Sequence, residues 1–211
     1  MNIVGRAEWG AKPAVGVTNL VSSRVGMCVL HHTTGTYAGA QTVRNIQAFH
    51  QGPTRKWADI AYSFLVAPDG TIYEGRGWGK QGAHTKGYNS SSVGIAFIGD
   101  GRLPVPAPAL ASIAWLGSEA DRRFGTLRWV GHRDVGSTVC PGDALHGWWM
   151  GGAAVTVPNV VSAPEPPVRV VTPKKAQVSA DATTERPSRI PIFPDGWMRQ
   201  MAGSGWLRPR R

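Results

Sequence analysis

The chain has 211 residues, of which 42% are apolar, and it carries a formal net charge of +10 at pH 7. This length and composition are enough for one domain of ordinary size with a proper core and an appendage. The two cysteines, Cys28 and Cys140, are too few for a disulfide framework, and no apolar run is long enough to predict a transmembrane helix.

The positive charge is unevenly distributed along the chain. Residues 1–154 carry 14 Lys and Arg against 9 Asp and Glu, and residues 155–211 carry 9 against 4, so the shorter segment is more basic per residue. Such a charge favours an anionic partner, but it does not choose among nucleic acid, a lipid surface and a wall polymer.

The first predicted elements are a loop-rich segment over residues 1–24, a buried strand over Val25–Leu30 and a helix over Thr42–His50. The strand is a short apolar run that contains Cys28, which we interpret as a small core residue. In the helix, apolar residues recur at a spacing of three, which indicates an amphipathic helix lying on a sheet. The Gly-Pro pair at 52–53 predicts its end.

A β-hairpin is predicted next, with strands over Tyr62–Ala67 and Thr71–Glu74 joined by a turn at residues 68–70. Residues 75–91 are rich in Gly, Lys, His and Asn, which is typical of a long surface loop that contacts substrates. The almost wholly apolar run Ser92–Ile98 predicts a strand in a central position of the sheet.

The strongest helical pattern covers Ala107–Phe124, and Gly125 predicts its end. Strands that alternate with helices, together with one hairpin, indicate an α/β domain with a mixed central β-sheet flanked by helices. We place this domain at residues 1–154, with its compact part ending near Trp148 and Trp149.

Two further segments follow the predicted domain. Residues 155–189 are rich in Pro, Val, Ser and Thr without periodicity, which predicts an extended, largely unfolded linker. Residues 190–211 combine aromatic residues with arginines, which is typical of a tail that attaches to an anionic wall polymer or membrane surface. A solubilising tail, or a tail packed against the domain, is the alternative interpretation.

A candidate metal-binding pair lies in the stretch after Trp129. His132 and Cys140 are separated by seven residues, and an imidazole and a thiolate are both good ligands for zinc. The third ligand is predicted far upstream, at His31 or His32, where the first strand ends. Three N and S ligands with a position left for water are typical of catalytic zinc, although the spacing of one pair is a weak signal by itself.

Several motifs occur in one order along residues 4–150. They read RAEWGA at 6–11, LHHTT at 30–34, DIAYSFLV at 59–66, DGTIYEGRGW at 69–78, HTKGYN at 84–89, SVGIAFIGD at 92–100, GHRD at 131–134 and TVCPG at 138–142. In these motifs the chain resembles the type-2 N-acetylmuramoyl-L-alanine amidases, the family that includes phage amidase lysins and the peptidoglycan recognition proteins. Motifs in series are far more specific than any one of them alone.

The resemblance implies one zinc ion per chain, held by His31, His132 and Cys140. It also implies hydrolysis of the amide bond that joins the lactyl group of N-acetylmuramic acid to L-alanine in peptidoglycan, a bond that zinc and its water can attack. The family pattern places the ligand at the first of the two adjacent histidines. Because consecutive strand residues point to opposite faces, His32 is then expected to pack or to support the ligands.

The resemblance assigns further roles around the metal. Tyr62 matches the family tyrosine that faces the metal and is expected to donate a hydrogen bond to the bound water or the developing oxyanion. Thr138 stands where some members have Lys and others Thr, and its hydroxyl can orient the water without adding positive charge. We expect Asp134 to orient its loop, and we interpret His50 and His146 as structural or solvated.

Four residues are candidate substrate contacts. His84 and Asn89 match a family segment at the substrate groove, Arg76 suits a contact with a carboxylate, and Trp78 suits an apolar wall. The alternatives are an ordinary loop histidine at position 84 and a tryptophan packed beneath its own loop at position 78.

Three functional classes are compatible with these patterns: a zinc amidase acting as a phage lysin, a non-catalytic peptidoglycan-binding module on the same fold, and a basic nucleic-acid-binding protein. The second is weaker because members that only bind have typically lost a ligand, and the third gives the three ligands no role. We therefore predict peptidoglycan as the partner, no nucleic acid, and a monomer. The first residues lack a signal-peptide pattern, so we expect synthesis in the host cytoplasm and action at the bacterial wall after membrane permeabilisation.

Overall fold

The computed structural model describes residues 1–153. The predicted linker at 155–189 and the predicted tail at 190–211 lie outside the described residues. Among the described residues, no helix is long and apolar enough to cross a membrane.

A six-stranded mixed sheet forms the centre of the fold. Its strands are β1 Ile3–Val4, β2 Met27–His32, β3 Phe64–Val66, β4 Ile72–Glu74, β5 Ser92–Phe97 and β6 Arg128–Gly131. The strand order is β1-β4-β3-β5-β2-β6. Strands β3 and β4 pair antiparallel, as the predicted hairpin requires, and the other neighbours pair parallel. The predicted α/β class with a mixed central sheet is therefore confirmed.

Within residues 1–153, four α-helices flank the sheet or follow its strands, and a short 3-10 helix covers Ser22–Arg24. The α-helices are α1 Ala40–Gln51, α2 Ala107–Phe124, α3 His132–Val135 and α4 Asp143–Met150. Helices α1 and α2 correspond to the two predicted helices, and α2 ends at Gly125, whose φ of 87° a glycine adopts without strain. Helices α3 and α4 were not predicted, because each is too short to show a helical period clearly.

Different apolar layers cover the two faces of the sheet. On one face, Leu116 of α2 belongs to a buried cluster that includes Phe64 of β3. On the other face, Ile46 of α1 and the fully buried Trp9 belong to a cluster that includes Leu65. Because successive strand residues point to opposite faces, the neighbours Phe64 and Leu65 lie in different layers.

Strands β5 and β2 are interior strands of the sheet, β5 near its middle and β2 next to the edge strand β6, and all of their residues are buried. The predicted central position of Ser92–Ile98 is thus confirmed. Strand β2 begins at Met27 and continues through His32, so it is shifted by two residues from the predicted Val25–Leu30 and carries both histidines. The segment predicted as loop-rich contains β1, which has only two residues and therefore no alternation to detect.

Candidate metal centre

Two neighbouring strand ends bring the first two candidate ligands together. Strands β2 and β6 pair in parallel, with Leu30 opposite Gly131. The residues that follow this pair are His31 and His132, so positions far apart in sequence stand side by side. His132 is the first residue of α3, which corrects the expectation that a loop carries it. Its backbone position is nevertheless fixed by the sheet.

The third candidate ligand completes the group. His31, His132 and Cys140 each offer one ligand atom, and these three atoms lie within 4.8 Å of one another. Cys140 Sγ is 3.7 Å from His31 Nδ1, and the centroids of the two imidazole rings are 4.6 Å apart. Tetrahedral zinc with its usual bond lengths separates a nitrogen and a sulfur ligand by about 3.5 Å. Within residues 1–153 this is the one group of its kind, and its donor set and spacing fit zinc.

Burial shifts the pKa values of the two imidazoles and of the thiol in opposite directions. Burial lowers the pKa of His31 well below its ordinary value, with His132 and His84 adding to the effect, and lowers the pKa of His132 to about 4. Both rings are therefore neutral at pH 7 and keep a lone pair. Burial raises the pKa of Cys140 to about 12, against the opposing hydrogen bond from His32 N–H. A cation that binds here must displace the thiol proton.

The segment that carries His132 and Cys140 is braced by a carboxylate and a second histidine. Asp134 Oδ2 accepts a hydrogen bond from the Gly131 N–H at 2.7 Å, and His146 Nε2 lies 2.9 Å from the same oxygen. These contacts fit the orienting role expected of Asp134. They give His146 a structural role.

His32 supports the group from the opposite side of β2. Its backbone N–H donates to Cys140 Sγ at 3.3 Å, and its Nδ1 accepts a hydrogen bond from the Gly101 N–H at 3.0 Å. The side chain is therefore already engaged with the loop at residues 99–102. Of the two adjacent histidines, His31 is the one in the candidate ligand group.

A pocket opens in front of the three ligand atoms, and Tyr62 and Thr138 lie in its wall. The Tyr62 ring centroid is 5.3 Å from that of His31, and burial, followed by the nearby Cys140, raises the pKa of its phenol. Tyr62 is therefore a neutral hydrogen-bond donor at pH 7. The Thr138 hydroxyl accepts a hydrogen bond from the Cys140 N–H at 3.2 Å. Both positions are compatible with the roles predicted for them.

His84 also lines the pocket, but its closest contact is a candidate ligand. Its Nδ1 lies 3.0 Å from His31 Nε2 and 2.9 Å from Thr85 Oγ1, and burial lowers its pKa to about 3. Asn89 is not in the pocket wall. Its side-chain oxygen accepts a hydrogen bond from the Thr85 N–H at 2.8 Å, which holds the turn that presents His84.

The structure does not bring Arg76 and Trp78 into the pocket. The buried Arg76 guanidinium donates to the carbonyls of Ile60 at 2.6 Å, Gln81 at 2.7 Å and Asp59 at 3.2 Å. These bonds hold the guanidinium against the protein backbone, and Arg76 lines a second groove together with Trp78. The contact of Arg76 with a substrate carboxylate stays a prediction.

The Trp78 ring lies in the apolar layer on the face of the sheet covered by α2. Its centroid is 4.4 Å from that of Phe64, and the Arg123 guanidinium stacks over it. These contacts fit the alternative of a packed tryptophan, and the ring also lines the second groove. Its role as an apolar wall for a substrate stays a prediction.

The residues of the pocket wall that were not predicted as site residues include His50, Arg55 and Trp57. His50 is buried, stacks on Trp57 with centroids 4.9 Å apart, and accepts a hydrogen bond from the Ala61 N–H at its Nδ1. Burial lowers its pKa to about 3. The structural interpretation of His50 fits these contacts. The sequence feature that could have indicated this part of the wall is the run Arg55–Trp57, which follows helix α1 and combines cationic and aromatic side chains.

A sequence model of the family described as N-acetylmuramoyl-L-alanine amidase matches residues 22–143, a span that contains all three candidate ligands. The chain belongs to this amidase family. It is 41% identical to peptidoglycan-recognition protein SC2 of Drosophila simulans over 151 residues, which are 67% of this chain and 81% of that protein. It is 42% identical to N-acetylmuramoyl-L-alanine amidase of Mus musculus over 153 residues, 66% of this chain and 28% of that protein.

Solved structures share the fold of this amidase-family chain. Drosophila PGRP-LB superimposes with a TM-score of 0.65 at 31% identity, over 74% of this chain and 98% of that one. Human PGRP-IβC in complex with glycosamyl muramyl pentapeptide superimposes with a TM-score of 0.64 at 35% identity, over 69% and 92% of the two chains. The family and fold predicted from the motifs are confirmed.

Proposed function

We propose that this protein is a zinc-dependent hydrolase that cleaves the amide bond between N-acetylmuramic acid and L-alanine in peptidoglycan. The observation that carries the proposal is the convergence of His31, His132 and Cys140 at the open pocket. A structural zinc site has four protein ligands and is closed, whereas three ligands beside a pocket leave a position for water.

The residues of the chain divide the work of hydrolysis. His31, His132 and Cys140 would hold the ion, which would supply an acidified water, with a pKa of about 7, and a Lewis acid for the scissile carbonyl. Tyr62, kept neutral by burial, donates a hydrogen bond to the oxyanion that develops on the carbonyl oxygen. Thr138 contributes a hydroxyl beside Cys140, which would orient the attacking water without adding positive charge.

Peptidoglycan is the proposed substrate because the family description names this amide bond and the relatives name this polymer. One relative was solved with glycosamyl muramyl pentapeptide, and another, PGRP-LE, with tracheal cytotoxin, described as monomeric diaminopimelic acid-type peptidoglycan. The pocket wall joins neutral aromatic rings to Arg55, which suits a ligand with sugar, peptide and carboxylate parts.

Metal content and product analysis test this proposal together. Purified protein should contain about one zinc per chain and release intact stem peptides from sacculi, identified by mass spectrometry. Cys140→Ala should lose both properties, and Cys28→Ala is the matched control, because Cys28 is a buried thiol outside the pocket. Stem-peptide release that survives in Cys140→Ala would contradict the catalytic assignment.

A second candidate function is peptidoglycan binding without cleavage. It is favoured by the relatives that are named recognition proteins rather than amidases. In this case the protein should bind sacculi and leave their stem peptides attached, with or without zinc.

We further propose that the protein acts as a phage lysin, made in the host cytoplasm and active at the wall after the membrane has been permeabilised. Expression alone should then leave host cells intact, and co-expression with a membrane-permeabilising protein should lyse them. Lysis without permeabilisation would reject this role.

The segment at residues 190–211 is proposed to attach the protein to an anionic wall polymer or membrane surface. Truncation after residue 154 should leave hydrolysis of soluble muropeptide unchanged and weaken attachment to intact walls. We also propose a monomer, which sedimentation tests directly.

A further inference from the structure

The two ring nitrogens of His31 face different partners. Nδ1 lies 3.7 Å from Cys140 Sγ, on the side of the candidate metal ligands. Nε2 lies 3.0 Å from Nδ1 of His84, which is well within hydrogen-bond distance. His31 therefore stands between the candidate metal position and a second buried histidine.

The position of one proton decides whether His31 can bind a metal. A neutral imidazole carries a single N–H, and the other nitrogen keeps a lone pair. When His31 Nε2 carries the proton and donates it to His84 Nδ1, the lone pair of His31 Nδ1 is free on the side of Cys140. When His84 Nδ1 donates instead, His31 must carry its proton on Nδ1, which blocks that lone pair.

We propose that His84 is a positioning residue that accepts a hydrogen bond from His31 Nε2–H and thereby fixes His31 in the tautomer whose Nδ1 can bind the metal. This inference rests on the proposed metal centre and assigns His84 a role in building it. It differs from the substrate contact predicted for His84. Partners of this kind beyond the direct ligands typically change metal affinity by about 10- to 100-fold.

The protein has a slot of defined shape for the His84 ring. A Cβ atom added at Gly82 would lie 2.3 Å from His84 Cδ2, and one added at Gly94 would lie 2.5 Å from the same atom. Neither glycine has a positive φ, so the backbone does not require glycine at these positions. Both are needed because any larger residue would push the ring out of its place beside β2.

Thr85 completes the arrangement around the shared proton. Its hydroxyl oxygen is 2.9 Å from His84 Nδ1 and 3.5 Å from His31 Nε2. Its N–H is held by Asn89. The hydroxyl is as close to His84 Nδ1 as the His31 ring, which lies 3.0 Å away, and it is farther from His31 itself.

The first test measures the tautomer of His31 in the metal-free wild-type protein. Long-range proton–nitrogen NMR correlations distinguish the Nδ1–H from the Nε2–H form, and with 6 histidines in the chain the signals can be assigned from single variants. We expect the Nε2–H form. Observation of the Nδ1–H form would overturn the proposal, whether or not the protein binds zinc.

The second test compares zinc affinities by competition with a chromophoric chelator. His84→Leu keeps an apolar side chain in the slot without an acceptor and should weaken zinc binding by about 10- to 100-fold. His84→Asn places an amide oxygen near the position of Nδ1 and should recover most of this loss. The matched control is His50→Gln, since His50 is a buried histidine of the same pocket that lies outside the ligand group, and it should leave the affinity unchanged.

The outcomes separate this inference from the proposed function. Equal zinc affinity in wild type and His84→Leu, or equal weakening in His84→Leu and His84→Asn, would contradict the acceptor role. Absence of zinc binding in the wild type, with the Nε2–H tautomer present, would reject the proposed metal centre but keep the histidine pair. Cobalt substitution adds a spectroscopic readout, because loss of the acceptor should shift the absorption bands of the bound cobalt without any substrate present.

Discussion

Two regions of the molecule are rich in polar side chains: the ends of strands β2 and β6, and the loop at residues 75–91. Polar groups face the pocket in the first region and the protein backbone in the second. At the strand ends, His31 and His132 present lone pairs to an open pocket. In the loop, Arg76 and Asn89 turn their polar atoms inwards and bond to the protein backbone. In this protein the side chains of Arg76 and Asn89 hold the loop itself, whereas those at the two strand ends reach the pocket.

The largest expected effect comes from breaking the strand-end group. His132→Ala should remove zinc binding and lower hydrolysis below detection, because metal-assisted charge stabilisation is worth several kcal/mol and each 1.4 kcal/mol is about tenfold in rate. Equilibrium dialysis and peptide-release assays measure the two effects. His146→Ala is the control, since it removes a brace and not a ligand, and should retain measurable zinc. Full activity in His132→Ala would contradict the assignment of His132 as a metal ligand.

Tyr62→Phe should have the next largest effect. Loss of one donor to a developing oxyanion lowers kcat by about 10²- to 10³-fold, and the ring packing remains. Zinc content and thermal stability should stay near those of the wild type, because the phenol is not a ligand. A wild-type kcat in Tyr62→Phe would remove this residue from the proposed machinery.

Arg76→Met tests whether the polar side chains of the loop stabilise the protein rather than contact a substrate. Three carbonyls would lose a charged donor, so the free energy of unfolding should fall by about 3 kcal/mol, measured by urea denaturation. Zinc affinity should be unchanged. A raised KM without any loss of stability would instead support the substrate contact predicted from the sequence.

The pH dependence of stability should show the smallest effect near neutral pH, and it concerns the pocket wall. In the folded protein the pKa of His50 is about 3, below the ordinary value of about 6.5, so between these values the unfolded chain binds more protons. The contribution of His50 to stability is therefore complete above pH 6.5 and is lost as pH falls, by at most about 1.4 kcal/mol per pH unit. Urea denaturation of metal-free His50→Gln should show a shallower loss on acidification than the wild type. An identical slope would mean that His50 takes up its proton without unfolding.

The sequence was most informative where geometry followed from strand periodicity. An apolar run predicted β5 in the centre of the sheet. The ligands His31, His132 and Cys140 were expected near one another because the motifs resemble those of the amidase family, and their ligand atoms lie within 4.8 Å of one another. The sequence could not predict β1, which is two residues long, or the depth at which Arg76 lies. Those depend on contacts between segments that no local pattern records.

The pairing of Leu30 with Gly131 has a consequence for how the protein matures. Two residues separated by a hundred positions meet only after β6 has docked beside β2, and contacts of such long range form slowly. A nascent chain that has not yet emerged past residue 131 contains only His31 of the three candidate ligands, so its ligand group is incomplete. Under the proposed metal centre, ion binding would therefore report that β6 has docked beside β2 and that the chain has emerged as far as Cys140.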